Sequence, residues 1–256
     1  KKLKSIEFAP FADRNGKVSD LFAGTITIGR ESFANCVSLT TIINEKRMTA
    51  IHDSAFSGCT SLTSINLENL RYAGKNAFEK CTALTTVVTT ENTVFSEGMF
   101  SGCTGLTSFD FKGDILPGSI FNGCRKLASI TFTSENFRGI GERALLGTAI
   151  TSIRLPNGTY SIGKNAFPSR LQKVILSEGT VLEGLSESPF GTCYRFTAFE
   201  VDSGNTHYSV VDGLLLNKDQ TELISVPYGK TGITQATIPA TVKSLASGVF
   251  AGISDI

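Results

Sequence analysis

The chain has 256 residues, of which 41% are hydrophobic and 18% are charged, and its formal net charge is +1. This length allows a continuous buried core, while the balanced charge argues against nucleic acid or an anionic membrane surface as a partner. No run approaches the roughly eighteen apolar residues that a membrane-spanning helix needs, so we expect no membrane insertion.

The two ends of the sequence each match part of a repeated unit. Residues 3–8 match the second half of the unit, and Phe250, Ile253 and Ile256 match the spacing of its first half. We therefore expect the chain to be a fragment of a longer array. It begins at Lys1 without a charged-then-apolar leader, so a signal peptide is either removed or lies outside this segment.

The unit itself is marked by the string Phe-x-x-Cys-x-x-Leu. Its copies are spaced by 23, 22, 22 and 21 residues and begin at Phe33, Phe56, Phe78, Phe100 and Phe121. A sixth copy, Phe190-x-x-Cys193-x-x-Phe196, changes only the last residue. Every cysteine of the chain lies in this motif, so the period belongs to the architecture.

Two structural periods alternate inside each unit. Over residues 55–62 the apolar side chains fall at helical spacing, and Asp53 and Ser54 are suitable N-caps for a short helical turn. Residues 62–67 then alternate between apolar and polar with period two and are rich in β-branched side chains, which predicts a strand. Each unit is thus predicted to be a helical turn followed by a strand.

A unit of this size cannot bury its own apolar face, whereas stacked units share one core. The sequence therefore predicts an α/β fold: a right-handed solenoid with short parallel strands on one face and short helical turns on the other. With strands about 4.8 Å apart, about ten coils would make a rod on the order of 50 Å long.

The six cysteines could form disulfides, bind a metal, or act as small apolar residues. They occupy the same position of successive units, so we expect one inward-facing row of buried thiols. No Cys-x-x-Cys pair of the kind that zinc sites use is present. Neighbouring thiols could lie within disulfide reach, so an occasional bond remains open. The phenylalanines are predicted to form a second buried column for the same reason.

The repeat lapses between residues 201 and 238. Asp212-Gly213 lies between apolar runs and predicts a hairpin turn, and Asn217-Lys218-Asp219 predicts a second turn. This stretch is interpreted as a small antiparallel β insertion. The chain is thus predicted to be one domain, residues 1–256, with irregular insertions near 9–25 and 202–235.

The unit resembles that of the BspA-like leucine-rich repeats, whose pattern is Ile-Gly-x-x-Ala-Phe-x-x-Cys-x-x-Leu-x-x-Ile-x-Leu. Residues 55–67 and 162–167 match it well, and residues 208–227 resemble the hairpin insertion common in that family. The departures, which concern local regularity, are Leu145 in the phenylalanine slot and Thr148 and Arg170 in the cysteine slot. The resemblance implies a leucine-rich-repeat solenoid from a secreted or surface-anchored protein of host-associated bacteria or, less often, a parasitic protist. Members of the family are implicated in adhesion to host matrix, host cells or other microbes.

Outward strand positions are predicted to form two columns along the expected concave face, where a ligand would bind. The first column is Ser5, Thr41, Ser64, Thr86, Ser108, Ser129, Ser152, Lys173 and Ala198. The second is Glu7, Ile43, Asn66, Val88, Asp110, Thr131, Arg154, Ile175 and Glu200. From these two columns the following residues are chosen as candidate binding residues: Ser64, Asn66, Thr86, Val88, Ser108, Asp110, Ser129, Thr131, Ser152, Arg154, Lys173 and Glu200.

Two other readings of the surface stay open at this point. The columns could be a solvated sheet whose Ser and Thr simply suit strands, since aromatic and arginine anchors are scarce there. The rival contact site is the insertion, because four tyrosines fall toward the C-terminal half: Tyr160, Tyr194, Tyr208 and Tyr228.

No catalytic, cofactor-binding or metal-binding residues are predicted. The two histidines, His52 and His207, are interpreted as surface or loop residues, and the sequence lacks the common zinc-hydrolase, serine-hydrolase and phosphate-loop motifs. The carboxylates are scattered rather than paired, so a glycosidase is unsupported. We expect the chain not to be an enzyme and to need no cofactor.

The leading hypothesis is a non-catalytic cell-surface or secreted module for adhesion or protein interaction. Its expected partner is a protein or glycoprotein on a host or microbial surface, with no nucleic acid, and the module is expected to be a monomer. One alternative is a passive spacer that presents another domain. Another is a glycan-binding appendage, which the scarcity of surface aromatics disfavours.

Overall fold

The computed structural model describes residues 2–8, 24–185, 188–234, 237–250 and 253. Most of the insertion predicted near 9–25 lies outside these residues. The strands, in chain order, are β1 (Ser5–Glu7), β2 (Ile26–Ile28), β3 (Thr41–Ile43), β4 (Met48–Ile51), β5 (Ser64–Asn66), β6 (Tyr72–Ala73), β7 (Thr86–Val88), β8 (Ser108–Phe111), β9 (Ile115–Leu116), β10 (Ser129–Phe132), β11 (Gly139–Ile140), β12 (Ser152–Leu155), β13 (Ser161–Ile162), β14 (Lys173–Leu176), β15 (Gly184–Leu185), β16 (Ala198–Val201), β17 (Tyr208–Val211), β18 (Leu214–Asn217), β19 (Glu222–Ser225) and β20 (Ser244–Leu245).

The predicted strands form a parallel sheet with one strand per coil, which we call the first sheet. Within it β1 pairs with β3, β5 with β7, β8 with β10, and β12 with β14 and β16, always in parallel. Equivalent residues pair directly, as Ile153 does with Val174. The solenoid of stacked parallel strands predicted from the repeat is therefore confirmed.

A second parallel sheet was not predicted. Its strands are two to four residues long and follow first-sheet strands in two groups, β2-β4-β6 and β9-β11-β13-β15. The coil of β7 lies between the groups and has no such strand. These strands bury apolar side chains such as Ile51, Leu116 and Ile162. A run of two residues is too short to show a period of two in the sequence.

The predicted helical turns are wrong. The described residues form no α-helix, and the 3-10 turn Glu45–Arg47 lies outside the Phe-x-x-Cys segments. No helix in the described ranges is long and apolar enough to cross a membrane. Ser54, expected as an N-cap, and Gly58 instead have left-handed backbone with φ of 54° and 73°. Two left-handed residues four apart interrupt a right-handed helix. The Phe-x-x-Cys segment is therefore a series of tight turns.

These turns bond to one another from coil to coil instead of within a helix. The Phe56 N–H donates to the Ala77 carbonyl over 2.8 Å, and the Gly58 N–H donates to the Glu79 carbonyl over 2.7 Å. The intervening amides bond three residues back, as Ser57 does to Ser54. The turn side is thus a third hydrogen-bonded ladder, which satisfies backbone groups that a helix would have satisfied internally.

The phenylalanine column lies inside the coils as predicted. Phe56 and Phe78 are stacked with ring centroids 5.3 Å apart, and Phe78 and Phe100 follow at 5.8 Å. Leu145 takes the place of a phenylalanine and is equally buried. Offset stacking of this kind adds to the energy of burying each ring.

The cysteines form the predicted row, and all six are free thiols. Cys59, Cys81, Cys103, Cys124 and Cys193 are buried, while Cys36 in the first coil is half-buried. The Cys81 thiol donates to the Phe56 carbonyl over 3.2 Å, and Cys103 donates to the Phe78 carbonyl over 3.1 Å. The thiols of Cys59, Cys81, Cys103 and Cys124 are therefore hydrogen-bond donors between coils as well as small apolar groups.

The predicted antiparallel insertion is confirmed. β17 and β18 pair antiparallel around the Asp212-Gly213 turn, and β18 pairs antiparallel with β19 around the second turn. Its apolar side chains form a small core of their own, which is made of Leu214, Leu216, Leu223, Val226 and Ile233. β19 then pairs in parallel with β20, so parallel pairing resumes after the insertion.

A buried asparagine joins the stack to the insertion. The Asn205 side-chain amide donates to the Ser177 and Thr180 carbonyls over 2.9 and 3.3 Å. Its side-chain oxygen accepts the N–H groups of His207 and Tyr208 over 2.8 and 2.9 Å. One side chain thus closes the last regular coil and begins the hairpin.

Candidate binding face

The outward side of the first sheet presents the predicted columns. Pairing places Ser64 beside Thr86 and Asn66 beside Val88, and the same register holds in the other groups of this sheet. Along each strand the side chains between the columns point inward. Because these columns follow from backbone pairing, their side chains are held on a scaffold whose opposite face is packed.

The predicted face residues are accessible. Ten of the twelve candidate residues are exposed, and Asn66 and Lys173 are half-buried. We call this set, from Ser64 to Glu200, the sheet face.

The N-terminal part of the sheet face carries hydroxyl and apolar groups without charge. Ile43 and Val88 expose 42% and 43% of their surface. Ser64 and Thr86 lie beside Val88 in the neighbouring column. Apolar groups set among hydroxyls suit a protein surface better than they suit a simple ion or a phosphate.

The C-terminal part of the sheet face carries charges that pair with one another. Arg154 reaches Asp202, with 2.6 Å between guanidinium nitrogen and carboxylate oxygen. Lys173 lies 3.0 Å from Glu200, and the Thr131 hydroxyl donates to the Asp110 carboxylate over 3.0 Å. These exposed pairs orient the side chains and contribute little to stability.

Sequence reasoning missed Asp202 and Lys112 as members of this surface. Each lies two residues beyond a predicted face residue, Glu200 and Asp110, and Lys112 approaches Asp110 at 3.8 Å. Continuing the period-two pattern one more step would have found both, because alternate residues of a strand share a face.

Two open depressions lie where the first-sheet strands end. One has a volume of about 510 Å³ and includes Arg154, Glu178 and Asp202 in its lining. The other, of about 760 Å³, carries four carboxylates and one cation: Glu91, Asp110, Asp114, Glu135 and Lys112. This edge of the sheet face is therefore acidic, although the chain as a whole is nearly neutral.

The four tyrosines do not come together as one contact site. Tyr194, which is 65% exposed, packs edge-on against Tyr228 with ring centroids 5.5 Å apart. Tyr160 is exposed separately. Tyr208 is buried, and its hydroxyl accepts the Leu182 N–H over 2.7 Å. Burial raises the pKa of the Tyr208 hydroxyl, which fits a structural role.

The histidines lie apart from any cluster of ligands. His52 packs against Tyr72 with ring centroids 5.0 Å apart, and a His207 ring nitrogen lies 3.3 Å from the Thr206 hydroxyl. Among the residues that the structure describes, no group of three or more His, Cys, Asp or Glu side chains could hold a metal ion.

Comparison with known proteins agrees with the repeat. The sequence pattern of a family described as a BspA type leucine-rich-repeat region matches residues 4–117 and 114–210, in six copies. No curated protein matches the sequence.

Solved structures of bacterial leucine-rich-repeat proteins share the fold. A leucine-rich repeat protein from Bacteroides ovatus aligns with a TM-score of 0.54 and 18% identity over 99% of this chain and 85% of its own. A leucine rich cell surface protein from Faecalibacterium prausnitzii aligns with a TM-score of 0.60 and 19% identity over 100% of this chain. The chain spans 62% of the length of the Faecalibacterium protein.

Proposed function

The chain belongs to the BspA-type leucine-rich-repeat family, and from this premise we propose that it is a non-catalytic module that binds a protein through its sheet face. The observation that best supports this proposal is the register of the first sheet, which lines up exposed side chains in columns over successive coils. Solenoids use such extended surfaces for recognition. A macromolecule, unlike a small ligand, can contact several coils at once.

The proposal extends to the location of the chain and the chemistry of its partner. The module acts outside the cell or on its surface; the fold relative from Faecalibacterium prausnitzii is described as a cell surface protein, which supports this placement.

The acidic edge around Glu91, Asp114 and Glu135 favours a partner with a basic patch beside an apolar one. Electrostatic complementarity of this kind speeds association and selects partners.

The test is binding of the purified chain to immobilised matrix proteins, host cells and co-resident microbes, with two variants of the sheet face. Val88→Glu places a charge in the apolar part, and Asp110→Lys reverses one of the carboxylates of the acidic edge. Each is expected to weaken binding about tenfold or more, as for residues that anchor an interface. Lys126→Glu, an exposed position on the turn side, is the matched control and should leave binding unchanged.

Two results would contradict the proposal. One is absence of binding to every surface at concentrations of tens of micromolar. The other is an equal loss in Lys126→Glu and in the sheet-face variants, because binding would then not depend on that face.

A second function, a passive spacer, is favoured by one observation. The sheet-face charges of Arg154 and Lys173 are already paired with Asp202 and Glu200, which leaves fewer of them free for a partner. A spacer tolerates removal of a whole coil, for example residues 79–100, without loss of function. A binding face does not, because the deletion shortens the columns.

A further inference from the structure

Regular coil junctions follow one rule on the turn side. The N–H in the phenylalanine slot donates to a turn carbonyl of the next coil over 2.8–3.0 Å. This holds at six junctions, whose donors are Phe33, Phe56, Phe78, Phe100, Phe121 and Leu145. The turn of each coil therefore needs the turn of the following coil as its hydrogen-bond partner.

At the Phe167 junction the ladder is shifted by one residue, since Ala166 and not Phe167 donates to the Pro189 carbonyl, over 3.1 Å. At the junction after Phe190 the ladder is missing among the described residues. The insertion supplies β19, which pairs in parallel with β20 as β11 pairs with β13. The Ala246 N–H donates to the Leu223 carbonyl over 2.9 Å, as Gly163 does to Ile140 over 2.8 Å. Yet β19 is not followed by a turn of the Phe-x-x-Cys kind. The parallel strand pair is thus present, while the matching rung of the turn ladder is missing.

The missing rung leaves backbone groups without partners on both sides. The N–H groups of Phe190 and Thr192 occupy the donor positions of the ladder, and within the described part of the chain they donate to nothing. The carbonyls of Ser247 and Val249 occupy the acceptor positions of the next turn and accept nothing from the described residues. Such groups are normally paired when they are shielded from water.

A cavity fills the space between these two turns. Its volume is about 440 Å³, which lies within the range of ligand pockets. We call it the slot. One wall comes from the Phe190 turn and the other from the turn at 246–249, with β19 as the floor.

The lining of the slot defines what it can hold. Aliphatic side chains, including Leu182, Ile224 and Val226, face it. Among the described residues of the lining, the carboxylates are Glu183 and Glu222, and none is a lysine or arginine. An occupant should therefore be apolar at its centre and basic at an end.

We propose that the slot binds an extended segment of a partner protein, which supplies the missing rung with its own backbone. Alternate carbonyls of the segment accept the N–H groups of Phe190 and Thr192, and its own N–H groups donate to Ser247 and Val249. Strand addition of this kind draws affinity from main-chain bonds and selectivity from alternate side chains. The segment carries small apolar residues flanked by lysine or arginine, which face Glu183 and Glu222.

This site is separate from the sheet face and stands whether or not that face binds a protein. The probes are two libraries of capped pentapeptides, Lys-x-x-x-Lys and Glu-x-x-x-Glu, where x is Ala, Val, Ser or Thr. Peptides captured by the chain are identified by mass spectrometry, and the best one is labelled for fluorescence anisotropy. Enrichment of the lysine library over the glutamate library is expected.

Two slot variants test where the peptide binds. Ala246→Trp fills the slot: a Cβ built at the equivalent Gly74, Gly141 or Gly163 meets the backbone of the preceding turn, and at Ala246 that turn is absent. Ala246→Ser is its conservative control. The double variant Glu183→Lys with Glu222→Lys reverses the rim charge without filling the slot. Glu142→Lys, an exposed carboxylate on a regular coil, is the matched charge control.

Both slot variants are expected to weaken peptide binding about tenfold or more, while Ala246→Ser, Glu142→Lys and Val88→Glu leave it unchanged. A copy of the best peptide that is N-methylated at its central amides should also bind about tenfold more weakly, since it cannot donate to the 246–249 turn. The proposal is overturned if neither library is enriched, if the two are enriched equally, or if the selected peptide binds both slot variants as well as it binds the original chain.

Discussion

The regular coils and the insertion satisfy their backbones in opposite ways. In the coils the partner of a residue lies one repeat away, as Ile153 pairs with Val174. In the insertion it lies a few residues along the chain, as Ser209 pairs with Leu216. The coils share one continuous core, to which the insertion adds Tyr208 and Leu215. The other buried apolar side chains of the insertion form a small core of their own. The difference shows that the array depends on its neighbours, while the hairpin folds locally.

At the junction between the coils and the insertion, pairing between coils meets pairing within a hairpin, and some backbone groups of the described residues lose their partners. A local hairpin can replace one strand of a stacked coil but not its turn, because the turn needs partners on both sides. The open rung at Phe190 is therefore a direct result of joining a local element to a repeating one.

The largest expected effect comes from truncating a stacked phenylalanine. Phe78→Ala removes a fully buried ring that stacks on both neighbours and should lower the free energy of unfolding by about 3–5 kcal/mol. Leu216→Ala in the small core of the insertion is the matched comparison. It should destabilise the hairpin and leave the coils folded.

Chemical unfolding of both variants, followed by hydrogen exchange of the two regions, separates these outcomes. If Leu216→Ala unfolded the coils to the same extent as Phe78→Ala, the contrast between a neighbour-dependent array and a local insertion would be wrong.

A smaller effect is expected at the junction itself. Asn205→Ala removes the side-chain donor to the Thr180 carbonyl and one of the two donors to the Ser177 carbonyl. It also removes the acceptor of the His207 and Tyr208 N–H groups, and the loss should cost at least about 1–3 kcal/mol. Asn157→Ala is the control, because Asn157 is exposed and accepts one N–H, from Gly179. Thermal unfolding that ranks the two variants equally would show that Asn205 does not hold the insertion to the stack.

The smallest expected effect is that of the buried thiols on the free energy of unfolding. It is absent near neutral pH and becomes larger in alkaline solution. Burial raises the pKa of Cys59 and Cys124 from 9.0 to about 12. Above pH 9 the unfolded chain loses these protons while the folded chain keeps them. Stability is therefore full below pH 9 and falls between about pH 9 and 12.

Cys124→Ala tests the sign of this pH dependence. The variant lacks one such thiol, so its unfolding free energy should decline less steeply with pH, by up to about 1.4 kcal/mol per pH unit. Equal slopes in the variant and the original chain would contradict a raised pKa at Cys124. Cys36→Ala, at the half-buried end of the row, serves as the comparison in the same titration.

The sequence predicted those parts of the fold that repeat with one period. The spacing of Phe33 to Phe121 established the stacking, and the alternation in residues 62–67 established the first sheet and its outward columns. The Asp212-Gly213 turn predicted the hairpin. The phenylalanine spacing and the strand alternation are predictable because burial on one face sets which positions are apolar. The hairpin is predictable because Asp-Gly favours the tight turn.

The parts that failed depend on backbone bonds between coils. Residues 55–62 have helical spacing, yet alternate amides bond to the next coil. The signal that helical spacing hid is the glycine two residues after the phenylalanine slot, as at Gly58, Gly102 and Gly123, where φ is positive. The left-handed Ser54 gives no such signal, because serine is also a good N-cap. The open rung at Phe190 could not be predicted, since Phe190-x-x-Cys193 looks like any other copy until the turn that should follow it is found to be absent.

The most direct test of this account is site-resolved amide hydrogen exchange on the free chain. The N–H groups of Phe56, Phe78, Phe100 and Phe121 should be strongly protected, because each donates to the next coil. The Phe190 N–H should exchange far faster than any of them and become protected when a lysine-flanked peptide is added. A Phe190 amide as protected as that of Phe100 in the free chain, or unprotected amides throughout the column, would contradict it.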